Sequence, residues 1–399
     1  MPTQYGPGIS RSPSGVEPDY QGGGVLNLVA TLIEARGGQA EHPPLSVLAP
    51  AALVSTTNLV LVVIDGLGDQ WLARRSPFGL LSRHRLGAIT SVFPSTTTTA
   101  ITTYLTGDAP LRHGLTGWHT WMGELGCVMT VLPGTPRFGG VPYRAAGVDT
   151  ARLFGRRSLF DRIATRSWVV TPERIARSDF NLAHLGTAQL VGYEGLQGLV
   201  GLTARLLRRH REPKYVYVYW PELDSIGHRE GMESQAAVDH LGLLEAALEE
   251  LLDRVAGTDT LVVVCADHGQ VDAGEGDLID LGDHPRLADC LALPLCGEGR
   301  AAFVYLKSGR ESAFFDYCAG PLAELVEVRP SPLLRAAGLF GPGPAHPRFE
   351  ERIGDYCLLP RGHRVIRQWL PFEERHELIG QHGGLTGSEM LVPLCLLRA

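Results

Sequence analysis

No stretch of about 18 consecutive apolar residues occurs in this 399-residue chain, so a membrane-spanning helix is not expected. Its seven cysteines include no CxxC pair, which argues against both a cysteine zinc site and a disulfide framework. Reduced thiols in a cytoplasmic protein are the expectation. An excess of positive charge is also missing. Lys plus Arg total 36 against 43 Asp plus Glu, a net charge of -7, which argues against a stable nucleic-acid partner. Internal repeats are absent, and biased sequence is confined to the N-terminus. There, MPTQYGPGISRSPSGVEPDYQGGG has no apolar segment behind a basic start, so residues 1–24 are expected to be a flexible lead-in and not a signal peptide.

What is present reads as an α/β protein. NLVLVVI (58–64), YVYVYW (215–220) and LVVVC (261–265) are apolar runs of the length and β-branched character of strands buried on both faces, hence of a parallel sheet. Helical patterns at 25–38, 158–166, 196–210 and 234–257 alternate with strand patterns at 87–93 and 167–172. This alternation predicts a mostly parallel central sheet flanked by helices. From about 285 the texture changes to short segments between Pro/Gly turns. The expected division is an α/β catalytic core over 25–284 and 378–399, with a small cap-like α+β insertion over 285–377. Substrate choice is expected to lie in that insertion and in the loop region 118–150.

An acidic residue follows each of the three strongest strands: Asp65, Asp224 and Asp267. Open α/β sheets bind ligands at the carboxyl ends of their strands, so the three converge if the strands are neighbours. Each alone is weak evidence, because an Asp after a strand is commonly a turn or helix-cap residue. His228 stands one helical turn after Asp224, His268 follows Asp267 directly, and His382 lies in a glycine-rich QHGGLTG. Three carboxylates and three imidazoles suit two divalent metals, zinc first and manganese or iron next.

FPSTTTTAITTYLTG (93–107) follows a strand and opens a helix, whose N-terminus favours an anion such as phosphate. A hydroxyl in that run, placed beside a divalent metal, would be acidic enough to act as a nucleophile. Alternatively Ser95 and Thr96 are helix caps and the remaining threonines fill the helix surface.

Taken in order, VVIDGLG, FPSTTTTAITTYLTGDAPLRHGLTGW, ELDSIGHREG, CADHG and GQHGGLTGSEMLVPL resemble the motifs of the alkaline phosphatase superfamily. The closer likeness is to its nucleotide pyrophosphatase/phosphodiesterase branch, and it runs from about residue 58 to residue 395. The resemblance implies a three-layer sandwich. It also implies one metal held by Asp65, Asp267 and His268 with the nucleophile, and a second held by Asp224, His228 and His382. In that branch the nucleophile stands nine residues before the Thr-Gly that ends the segment, which reaches Thr97; its neighbour Thr98 would face the substrate through its backbone N–H. The implied activity is hydrolysis of phosphodiester or pyrophosphate bonds of a small-molecule phosphate ester, nucleotides included, through a threonyl-phosphoryl intermediate. The alternatives are a phosphomonoesterase or phosphonate hydrolase on the same metal pair, and a non-catalytic binding module on the same fold. One departure stands out: nucleotide-cleaving members carry an Asn five residues after the His of the HG motif, and here that position is Trp118. Trp118, Trp121 or His119 is therefore expected to shape the substrate pocket, the alternative being an aromatic that only packs.

Overall fold

A computed structural model of the protein describes residues 15–209 and 211–399. Its central sheet has seven strands: β1 (Asn58–Ile64), β2 (Arg85–Thr90), β3 (Arg166–Pro172), β4 (Gln189–Tyr193), β5 (Lys214–Trp220), β6 (Thr260–Cys265) and β7 (Leu391–Arg398). They lie in the order β2-β7-β6-β1-β5-β3-β4. β7 runs antiparallel to both its neighbours, and the remaining pairs are parallel. Every residue of β1 and of β6 is buried, as strands covered on both faces must be. The cover comes from helices, Val25–Ala35 packing on Thr97–Thr106 and Gly195–Arg209 on Gln235–Arg254. The result is the expected three-layer sandwich.

Register decides where the chemistry falls. Ile64 pairs with Trp220 and Val63 with Cys265, so β1, β5 and β6 end at one level. The residues that follow them, Asp65, Asp224 and Asp267, are thereby delivered to one edge of the sheet.

A second sheet, antiparallel throughout, stands beside the first. Its order is Val326–Pro330, Tyr356–Pro360, Ala301–Val304, Cys296–Glu298, His119–Met122, Cys127–Thr130, Thr135–Pro136. It thus draws on two distant stretches, 119–136 and 296–360, joined where Gly297 pairs with His119. A Cβ on Gly117 would come within 2.6 Å of the Gly297 Cα, so this close approach of two backbones requires glycine.

Two expected segments differ. The helix expected over 158–166 is a 3-10 turn, Leu159–Asp161, because the Ser158 hydroxyl caps Phe160 N and Arg166 already belongs to β3. Of the expected lead-in, residues 1–14 lie outside the described residues, while residues 15–24 are laid on the core. Val16 N bonds Leu385 O at 2.7 Å, the buried Tyr20 hydroxyl donates to Leu339 O at 2.8 Å, and Gly24 bridges to Thr90 in β2. Among the described residues no helix is long and apolar enough to cross a membrane.

Candidate active site

Asp65, Thr97, Asp224, His228, Asp267, His268 and His382 all meet at the carboxyl edge of the central sheet. Asp65 directly follows β1, and Asp267 and His268 follow β6 after one residue. Asp224 and His228 lie one turn apart on the helix Glu222–Glu230. His382 comes from the loop before β7. That loop is fixed from beneath by Glu389, which accepts from Gly384 N (2.8 Å) and from Thr386 Oγ1 (2.6 Å). The Glu389 carboxylate is in turn gripped at both oxygens by buried Arg300 (3.0 and 2.8 Å). Ser95 Oγ donates to Gly384 O at 2.7 Å, tying the threonine-rich segment to the same loop.

Thr97 is the first residue of its helix, and its Oγ1 lies 3.1 Å from His268 Nε2 and 3.4 Å from both Asp65 oxygens. His268 Nε2 is also 3.3 Å from Asp65 Oδ1 and 3.5 Å from Asp267 Oδ2. On the other side, Asp224 lies 3.4 Å from His228 Nε2 and 3.9 Å from His382 Nε2. Two groups of potential ligand atoms lie within 4.8 Å of one another: Asp65, Asp267 and His268, and Asp224, His268 and His382. His268 belongs to both, and its ring stacks on His382 at 3.9 Å between centroids. The motif reading had placed His268 with one metal alone.

The electrostatics fit a cation. Burial pushes the Asp65 carboxyl well above its ordinary range, and Asp267 and Asp224 push it further; burial raises Asp267 as well. Burial, then the neighbouring His268 and His228, holds His382 neutral. Asp267 Oδ1 accepts from His268 N (3.0 Å) and Gly66 N (3.2 Å), yet its buried Oδ2 accepts no hydrogen bond. A buried acceptor left open amid carboxylates that repel one another is what a metal ligand requires. His228 Nδ1–H donates to Gly380 O (2.7 Å) and His268 Nδ1–H to Gly269 O (3.1 Å), which leaves both Nε2 lone pairs facing the site. All donors are oxygen or nitrogen, a set that suits zinc, manganese or iron.

Three supporting residues escaped the sequence reading. The Tyr219 hydroxyl donates to Asp65 Oδ2, Gln270 Nε2 donates to Asp224 Oδ1 at 2.5 Å, and Glu298 enters from the second sheet. Gln270 had a signal, being next to the DHG motif; Tyr219 and Glu298 had none. Burial pushes the Glu298 carboxyl up to about 7.

Trp118, 38% exposed, lines both cavities and so divides the cleft. One cavity, about 520 Å³, carries the more polar lining of the two, with Glu298, Arg367, His119 and Trp369 on its walls. The other, about 510 Å³, is mostly apolar, with Ile101, Leu105, Val169, Phe180 and Tyr217. Thr97 and Asp224 border both. The Thr98 side chain is fully buried away from them, so only its backbone can meet a substrate.

His184 edges the apolar cavity, and burial lowers its pKa from 6.5 to about 4. The folded form keeps it neutral while the unfolded chain protonates it. Its contribution is therefore complete above pH 6.5 and is lost as pH falls towards 4, to the extent of about 3 kcal/mol. Denaturant titrations should show that acid limb, and it should flatten in His184→Leu; an unchanged limb refutes the assignment.

Fold and site together define a phosphoryl-group hydrolase of the alkaline phosphatase superfamily with two Asp/His clusters able to bind metal. A sequence model of the type I phosphodiesterase / nucleotide pyrophosphatase family matches residues 59–314, and the chain belongs to that family. Murine ectonucleotide pyrophosphatase / phosphodiesterase 5 superposes with a TM-score of 0.64 at 15% identity, over 84% of this chain and 87% of that one. An inactive threonine-to-alanine variant of it, in complex with AMP, matches equally at 0.64 and 15%, over 85% and 87%. Phosphonoacetate hydrolase from Sinorhizobium meliloti 1021, in complex with phosphonoacetate, gives 0.61 at 18%, over 86% and 90%. No curated protein sequence matches the chain.

Proposed function

We propose that the protein hydrolyses phosphodiester or pyrophosphate bonds of small-molecule esters, nucleotides among them, with Thr97 as nucleophile. The observation that carries this reading is the pair of similar-sized cavities meeting at Thr97 on either side of Trp118. A phosphorus atom with two substituents needs two such spaces; a monoester or phosphonate needs one.

Thr97 Oγ1 attacks phosphorus, forming the Oγ–P bond as the bond to the leaving oxygen breaks, and water later cleaves the threonyl phosphate. The Thr97 proton has the Asp65 carboxylate at 3.4 Å as acceptor, since His268 Nε2, 3.1 Å away, would keep its one lone pair for the metal. The N–H groups of Thr97 and Thr98, at the positive end of the helix, face the phosphoryl oxygens. Asp65, Asp267 and His268 would hold one metal and Asp224, His228 and His382 the other, with His268 within reach of both. A bound zinc pair supplies the Lewis acidity that makes the hydroxyl nucleophilic and offsets charge on the leaving oxygen. The inactive threonine variant of the murine relative supports a threonine in that role. We assign 285–377, with the hairpin 119–136, as a cap on the core formed by 25–284 and 378–399. The seven free cysteines, six of them buried, support a cytoplasmic setting.

Bis-p-nitrophenyl phosphate should be cleaved with a kcat/KM about 100-fold above that of p-nitrophenyl phosphate. A preference for the monoester, or efficient cleavage of phosphonoacetate, overturns the proposal.

A further inference from the structure

Thr96 is the N-cap of the helix that begins with Thr97, with φ -141° and ψ 152°, yet its side chain makes no capping bond. An N-cap hydroxyl ordinarily accepts from the second or third N–H of its helix, here Thr98 or Thr99. Instead Thr96 Oγ1 donates to Glu298 Oε1 at 2.6 Å, and the same oxygen accepts from Trp118 N at 2.7 Å. Thr99 N already bonds the Thr96 carbonyl at 3.1 Å. Among the described residues, the N–H groups of Thr97 and Thr98 have no partner. A carboxylate beside a phosphate site would by itself repel the substrate. Here one of its oxygens is committed to two donors, and Arg367 nearby offsets its charge.

We infer that Glu298 is a positioning residue: by holding the Thr96 hydroxyl away from the helix it keeps the Thr98 N–H open for a phosphoryl oxygen, and by holding Trp118 N it fixes the divider of the cleft. This rests on the phosphoryl-transfer role proposed for Thr97. Strand Cys296–Glu298 of the second sheet is what brings Glu298 to that point, through the Gly297–His119 pairing. The cap thereby sets the state of the nucleophile's helix as well as the shape of the pocket.

The test is steady-state turnover of bis-p-nitrophenyl phosphate by the metal-loaded full chain. Glu298→Ala frees Thr96 to cap its own helix, so kcat should fall about 100- to 1000-fold while KM changes little, the scale of losing one oxyanion donor. Glu298→Gln retains an acceptor oxygen and should keep most of the turnover. The decisive variant is Glu298→Ala with Thr96→Ala: with no hydroxyl left to close on Thr98 N–H, it should recover most of the lost kcat. If Glu298→Ala does not fold, Glu298→Asp, which withdraws the acceptor by one methylene, carries the same comparison with and without Thr96→Ala. A double variant as slow as its Glu298 parent overturns the inference, and so does a Gln variant as slow as Ala. Thr97→Ala is assayed in parallel. Full turnover there overturns the nucleophile reading and this inference with it. Loss of turnover there, with no recovery in the double variant, overturns this inference alone.

Discussion

Thr97→Ala should bind metal and substrate normally and turn over a diester at least about 10³-fold more slowly than the parent chain. The side chain removed is 8% exposed, and its hydroxyl lies against His268 and Asp65, so what is lost is the attacking oxygen and little packing. Alanine is also the best helix former, so Thr97–Thr106 should remain intact. The loss should therefore appear in kcat with KM nearly constant, the mark of an interaction made only in the transition state. Thr97→Ser, which keeps a hydroxyl at the same Cβ, should retain measurable turnover and should accumulate a phosphoseryl adduct on acid quenching. Neighbouring hydroxyls give no substitute: Ser95, Thr96 and Thr102 are each bonded elsewhere, and those of Thr98 and Thr99 are buried. Near-wild-type activity in Thr97→Ala would sink the nucleophile assignment.

Why the convergence of Thr97 with the three aspartates could be read from the chain, while the place of Glu298 could not, follows from the kind of order each depends on. β1, β5 and β6 are continuous apolar runs, and their parallel register brings residues just past their ends together without further information. Asp65, Asp224 and Asp267 follow from that. The threonines announce a helix start locally. Glu298, by contrast, ends a three-residue strand, and it reaches Thr96 only because Gly297 pairs with His119, 178 positions earlier in the chain. Such pairings depend on close backbone approach at Gly117 and Gly297, and no periodicity reports that. Tyr219 is one of three tyrosines alternating in β5; only the sheet shows that its hydroxyl reaches Asp65 while that of Tyr217 is buried unpaired. The final strand is hidden for a different reason. Pro393 in β7 reads against a strand inside a sheet, but it pairs only with β2, and β6 is met from Cys395 onward, so its missing N–H breaks no ladder bond there. The failed helix at 158–166 is the ordinary case of local capping competing with propensity, Ser158 closing a tight turn before the chain enters β3.

Metal content should distinguish the two clusters, because they are joined through one residue. The parent chain should carry two equivalents of zinc by metal analysis, and chelation should abolish turnover completely. His382→Ala and His228→Ala each remove a donor from the side of Asp224 only, so each should lose one equivalent and keep the other. His268→Ala should lose both. Its Nε2 lies 3.3 Å from Asp65 and 3.5 Å from Asp267, and it is grouped equally with Asp224 and His382. Removing the metal also leaves Asp65 and Asp267 buried with no opposing charge, an arrangement that burial and mutual repulsion already disfavour. The chelated protein should accordingly melt at a lower temperature. Zinc at 100 times its dissociation constant should restore about 2.7 kcal/mol for each site filled. A His268→Ala protein with one full equivalent of zinc would show that the clusters are independent, with Asp224, His228 and His382 forming the second site without it.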